Sequence, residues 1–180
     1  MRIHPITRQI FALWILAIPA ASSLGQGVTE DELKATYLVN FLKYVEWPES
    51  QASQSVRTLC YYGSDNVGSY LAAYEGRIIN GRALQLRRIN ASDALEGCHE
   101  LYIPALAEER IGAILRSTAH LPIVTVSEGE AFAHRGGSIA LIRAEGRYQF
   151  DINNGALSRV GIKAGAPLLR LARQIVGVSK

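Results

Sequence analysis

Apolar positions change their spacing along this chain, and each change marks an element. Leu33, Tyr37, Leu38, Phe41, Leu42, Tyr44 and Val45 recur at the intervals of one helix face. Ahead of them Thr29 and Glu32 form a capping-box pair, and Glu30 and Asp31 place negative charge where the helix dipole favours it. The pattern predicts a helix through Glu46-Trp47 that stops at Pro48. Val56–Tyr62 is β-branched and aromatic and predicts a strand, with a short helix over Asp65–Tyr74. Arg77–Ile79 and Ala83–Ile89 flank Asn80-Gly81, a hairpin signal. Glu100–Ile103 and Pro122–Val126 read as short apolar strands, with a helix between them to about Thr118. Ser138–Arg143 and Arg147–Ile152 alternate around Glu145-Gly146 as a second hairpin, and two short helices follow over Asn153–Val160 and Ala166–Ile175. Early strand–helix alternation and a late hairpin predict an α/β fold, a mixed sheet covered by helices in a single domain.

The N-terminus departs from these patterns. After Arg2 and Arg8, Ile10–Ala21 carries no charge, and at about 1.5 Å per residue it falls short of the ~30 Å bilayer core. Small residues follow, so residues 1–25 are expected to be a cleaved signal peptide and 26–180 an exported, soluble domain. Cleavage removes two arginines and lowers the formal charge from the +3 of the whole chain to +1. Nucleic acid is not an expected partner, because no basic run has aromatics interleaved for stacking. Arg82, Arg87 and Arg88, the densest basic group, are expected on a solvated strand face.

An oxidising compartment changes the reading of the two cysteines. Cys60 and Cys98 are expected to form a disulfide, worth roughly 4 kcal/mol by chain entropy. Zinc is a poor rival, since only His99 lies nearby and ligand spacing is lacking.

Candidate chemistry is sparse. Gly63–Gly68 follows a strand and opens a helix, as an anion-binding turn or a plain connection, but lacks the Lys-Ser/Thr of a P-loop. Ser127, Ser138 and Ser158 lack a nucleophile elbow, and His99, His120 and His134 accompany no recognisable motif. No catalytic, cofactor or metal residues are assigned, and the chain is expected not to be an enzyme. Glu128 and Glu130 straddle Gly129 as ordinary loop acids. Gly136-Gly137 before an apolar strand implies a special backbone or a close approach. With Phe132, His134 and Arg135 they form the candidate partner-binding rim, where an aromatic and an arginine sit together.

In order along the chain, Tyr37-Leu38-Val39-Asn40-Phe41, Lys43-Tyr44-Val45-Glu46-Trp47-Pro48, Leu59-Cys60, Leu95-Glu96-Gly97-Cys98-His99, Arg135-Gly136-Gly137 and Phe150-Asp151-Ile152-Asn153 resemble the YfiR family. The resemblance runs almost the whole length of the mature chain. It implies a periplasmic repressor that binds the periplasmic domain of an inner-membrane diguanylate cyclase and so affects cyclic di-GMP signalling and biofilm formation. It also implies relief of repression by an outer-membrane OmpA-like lipoprotein. A second copy of the chain, as a homodimer, is a further candidate partner. Cys60 and Cys98 occupy the family's shared cysteine positions, but a second cysteine pair toward the C-terminus is absent. The alternative function is a periplasmic small-ligand sensor acting on a kinase or cyclase through a cleft near Gly136-Gly137.

Overall fold

The hydroxyl of Thr29 accepts the Glu32 N–H at 3.2 Å and starts helix α1 (Glu30–Lys43). The structure, a computed structural model, describes residues 27–63, 66–105 and 108–177, so the expected signal segment lies outside it. Helix α1 ends earlier than its apolar spacing predicts. Tyr44 closes it, and strand β1 (Val45–Glu46) leads into a short helix α2 (Glu49–Ala52). Strand β2 (Val56–Tyr62), helix α3 (Val67–Leu71) and a 3-10 turn at Ala72–Tyr74 follow. Strands β3 (Ile78–Ile79) and β4 (Arg82–Ile89) form the expected hairpin, with Asn80 and Gly81 both at positive φ, 50° and 79°. Next come β5 (Glu100–Ile103), α4 (Glu108–Thr118), β6 (Val124–Glu128) and α5 (Ala131–His134). The second hairpin joins β7 (Ile139–Ala144) to β8 (Arg147–Asn153). The chain finishes with α6 (Asn154–Arg159), β9 (Lys163–Ala164), α7 (Ala166–Leu171) and β10 (Gln174–Val176).

Two strand pairings escape the sequence pattern. The expected helix over Ala166–Ile175 stops at Leu171, and β10 instead lies parallel to β8 with Ile175 opposite Ile152. The backbone carries the change, since Arg173 N–H donates to the Phe150 carbonyl at 2.8 Å. Similarly β1 pairs antiparallel with β9, beside a Gly165 N–H to Tyr44 carbonyl bond of 2.8 Å. A Cβ at Gly165 would crowd that same carbonyl at 2.8 Å, which fixes glycine there.

The main sheet has eight strands in the order β10-β8-β7-β6-β5-β2-β4-β3. Its centre, β4 to β7, is parallel, and antiparallel pairs lie at β3–β4 and β7–β8, giving the mixed sheet the pattern predicted. Alternation along the strands sorts two cores. Leu59, Tyr102, Val124, Val126, Ile139 and Leu141 face the layer holding Leu38, Phe41 and Leu42 of α1. Cys60, Leu101, Ile103, Ala140 and Ile142 face the layer holding Ile111 and Ile114 of α4 and Phe132 of α5.

Candidate functional site at the carboxyl ends of the parallel strands

The disulfide forms as expected. Cys60 on β2 and Cys98 just ahead of β5 are bonded, with Cα atoms 5.7 Å apart, and both are fully buried. Cross-strand register then corrects the reading of the arginines. Arg87 lies opposite Cys60, and its guanidinium donates to Cys60 Sγ at 3.3 Å and Cys98 Sγ at 2.9 Å. It also donates to the carbonyls of Ala94 and Glu96. Arg88 donates to the Gly63 carbonyl, and Arg82 to those of Ala52 and Gln54. The three therefore fasten loops to the sheet instead of forming a plain solvated face.

Where β5 and β6 end, a cleft of about 320 Å³ opens, lined by Ala105, Ile111, Ala131 and Phe132 and by Glu128, Glu130 and Arg135. In open α/β sheets this end of the strands is where ligands are commonly received. Phe132 forms part of the lining but is only 2% exposed, which corrects its placement on an exposed rim. Its ring packs into the second core because a side chain on Gly137 would collide with it. Gly136, at φ +102°, closes α5, donating to Ala133 as Gly137 donates to Phe132. The glycine pair is thus a helix terminus that seats Phe132. His134 and Arg135 are exposed and remain on the rim, Arg135 at the cleft itself. Ser64 and Asp65, within the Gly63–Gly68 turn, lie outside the described residues.

Glu128 and Lys34 were not legible as a pair. Lys34, mostly buried on α1, approaches Glu128 Oε2 at 3.2 Å, Glu30 at 3.5 Å and Asp31 at 3.6 Å. Burial opposes its charge, but the acids outweigh that and hold its pKa above the ordinary lysine value. Glu128 also accepts the Tyr102 hydroxyl at 2.9 Å, so it is no ordinary loop acid. Glu30 accepts the Tyr148 hydroxyl at 2.6 Å and pairs with Arg143; chiefly the tyrosine bond draws its pKa down. Arg173 grips the fully buried Asp151 with two bonds of 2.9 and 2.7 Å and reaches Glu130, which lines the cleft, at 2.9 Å. The i to i+4 spacing of Glu30 and Lys34 was visible in sequence, but the long-range partners depend on strand register.

Among the described residues no group of three or more His, Cys, Asp or Glu side chains could hold a metal ion, and no helix is long and apolar enough to cross a membrane. Two solved structures share the fold. One is described as a conserved domain protein from Vibrio cholerae, with TM-score 0.55, 12% identity, and coverage of 82% of this chain and 60% of that one. The other is described as an ABC domain in complex with L-Trp from Streptococcus pneumoniae, with TM-score 0.53, 11% identity, and coverage of 79% and 60%. The chain thus spans about 60% of the length of each. A family profile described as YfiR/HmsC-like matches residues 31–173.

Proposed function

Because the chain belongs to the YfiR/HmsC-like family, we propose that it is a periplasmic regulator that binds the periplasmic region of an inner-membrane diguanylate cyclase and holds it inactive. The observation that carries this reading is the family match, which runs from the first turn of α1 to Arg173, just ahead of β10. The family is regulatory rather than catalytic. Binding the inactive cyclase about 10⁴-fold more tightly than the active one is enough to move its population almost completely. An outer-membrane OmpA-like lipoprotein that captures the regulator relieves the inhibition.

The contact surface in this reading is the rim of the cleft, at His134, Arg135 and Glu130. Exposed arginine beside an apolar floor is the composition of binding hot spots, and Phe132 supports that floor from below. Alanine at Arg135 is expected to weaken binding to the isolated periplasmic domain of the cyclase at least tenfold while leaving Tm nearly unchanged. Normal binding by both Arg135→Ala and His134→Ala places the interface elsewhere. The cleft itself favours a second reading, a small-ligand sensor, because a partly apolar hollow of this volume at the strand ends suits a small molecule. A regulator that never contacts the cyclase, yet is stabilised by a metabolite from the envelope, moves that reading ahead.

A further inference from the structure

A second hollow, larger than the cleft, has no part in the regulatory reading. It is a groove of about 550 Å³ between α4 and the loop of residues 90–97 that joins β4 to β5. Helix α4 serves both hollows: Ile111 lines the cleft, whereas Ala113 and Ser117, one turn apart, line the groove. Tyr62, the last residue of β2, completes the lining. The loop wall is held in place without a ligand. Arg87 donates to the carbonyls of Ala94 and Glu96 at 3.2 and 3.0 Å, and the Asp93 carboxylate accepts the Asn90 N–H at 2.7 Å. Leu95 is buried in the second core, and the Cys60–Cys98 bridge fixes the far end of the loop. A groove with such a wall needs little ordering when it binds.

Charge and ring chemistry select the ligand. Asp93 and Glu96 both line the groove, and no cation among the described residues forms an ion pair with either. Tyr62 is half-buried against the second core beside Leu121. Burial chiefly raises its pKa, Arg110 lowers it and Asp93 raises it, so the phenol is neutral at pH 7 and the Asp93 charge is felt at the ring. An aromatic ring beside two carboxylates, with Leu95, Ile114 and Leu121 along the walls, suits an organic ammonium ion. The carboxylates answer its charge, the ring face attracts it, and the aliphatic walls cover its body. An anion meets repulsion from both acids. A bare metal ion finds no group of three His, Cys, Asp or Glu ligands among the described residues. The opposing charge is Arg110, exposed on α4, which acts on Tyr62 but does not line the groove.

We propose that the groove between α4 and the β4–β5 loop binds a small organic ammonium ion, its cation at Tyr62, Asp93 and Glu96 and its apolar body against Leu95, Ile114 and Leu121. The volume of the groove is that of a small-molecule site.

Backbone amide resonances of the protein are followed at pH 7 and matched ionic strength during titration with benzyltrimethylammonium, benzyl alcohol or benzoate, which share one ring and differ in charge. The ammonium is expected to give saturable shifts at Asp93, Glu96, Ala113 and Ser117. The alcohol should bind roughly tenfold more weakly, and benzoate should not saturate. Glu96→Gln, at an exposed position, should weaken ammonium binding, and Arg110→Gln should strengthen it, with thermal unfolding of both variants matching the parent. Tyr62→Leu keeps an apolar side chain but should lose most of the preference for the ammonium over the alcohol. The proposal is overturned if the alcohol binds as tightly as the ammonium, which marks a merely apolar groove. It is equally overturned if the ammonium shifts Gly129, Glu130 and Ala131 at the cleft instead, or if no probe saturates. None of these failures touches the regulatory reading, whose surface is at His134 and Arg135.

Discussion

The two ends of the parallel sheet manage charge in opposite ways. At the carboxyl end Lys34, Arg143 and Arg173 each meet acids, and two of those acids, Glu128 and Glu130, line a cleft open to solvent. At the amino end Arg57 and Arg82 are answered by backbone carbonyls, and the aromatic rings beside Arg57 are closed off from water. The paired end ties α1 to β6 and β8, and β8 to Arg173 just ahead of β10. The unpaired end holds polar groups whose ionisation changes stability. The difference lies in long-range placement, since both ends draw on the same residue types.

The sharpest test of the carboxyl end separates its floor from its rim. Phe132→Ala removes a buried ring from the second core and should lower stability by about 3–5 kcal/mol, whereas Arg135→Ala should stay within about 0.5 kcal/mol. Urea unfolding curves of the two variants measure the contrast, and equal effects would collapse it.

Acid titration probes the amino end. His99 has a folded-state pKa of about 4, below its unfolded value near 6.5, so the unfolded chain takes up the proton first. Its contribution is complete above about pH 6.5 and is lost as pH falls toward 4, by up to about 3 kcal/mol. Glu100 has the opposite sign. Its pKa is raised in the folded state, so stability falls as pH rises past the ordinary carboxylate range. Unfolding free energy measured from pH 4 to 8 should therefore lose most of its acid-side slope in His99→Gln. In Glu100→Gln it should rise relative to the parent toward neutral pH. The same slope between pH 4 and 6.5 in the parent and in His99→Gln contradicts this assignment to His99.

Among the buried groups the smallest expected effect belongs to the Lys34 network. Lys34→Met keeps the aliphatic stem but releases Glu128, Glu30 and Asp31, and should cost about 1 kcal/mol. Added salt should shrink the difference in thermal unfolding between parent and variant.

Local chemistry was legible wherever neighbouring residues decide it. The Thr29 cap, the Asn80-Gly81 turn and the alternation of β7 and β8 depend on side chains within a few positions of one another. Strands β1, β9 and β10 were not, because two or three residues carry no period and their pairing partners lie far along the chain. The same limit hid the site. Gly136-Gly137 announced a special backbone, but only packing shows that Gly137 makes room for Phe132 and so draws that ring off the rim. Arg87 read as a surface strand residue until the register set it opposite Cys60.

Cellular cyclic di-GMP reads out the proposed restraint of a diguanylate cyclase. The nucleotide is measured in strains with and without the regulator, each with and without the cyclase. Deleting the regulator is expected to raise it only where the cyclase is present, an effect reversed by the wild-type chain and poorly reversed by Arg135→Ala. Unchanged cyclic di-GMP after deletion, with the cyclase expressed, would contradict it.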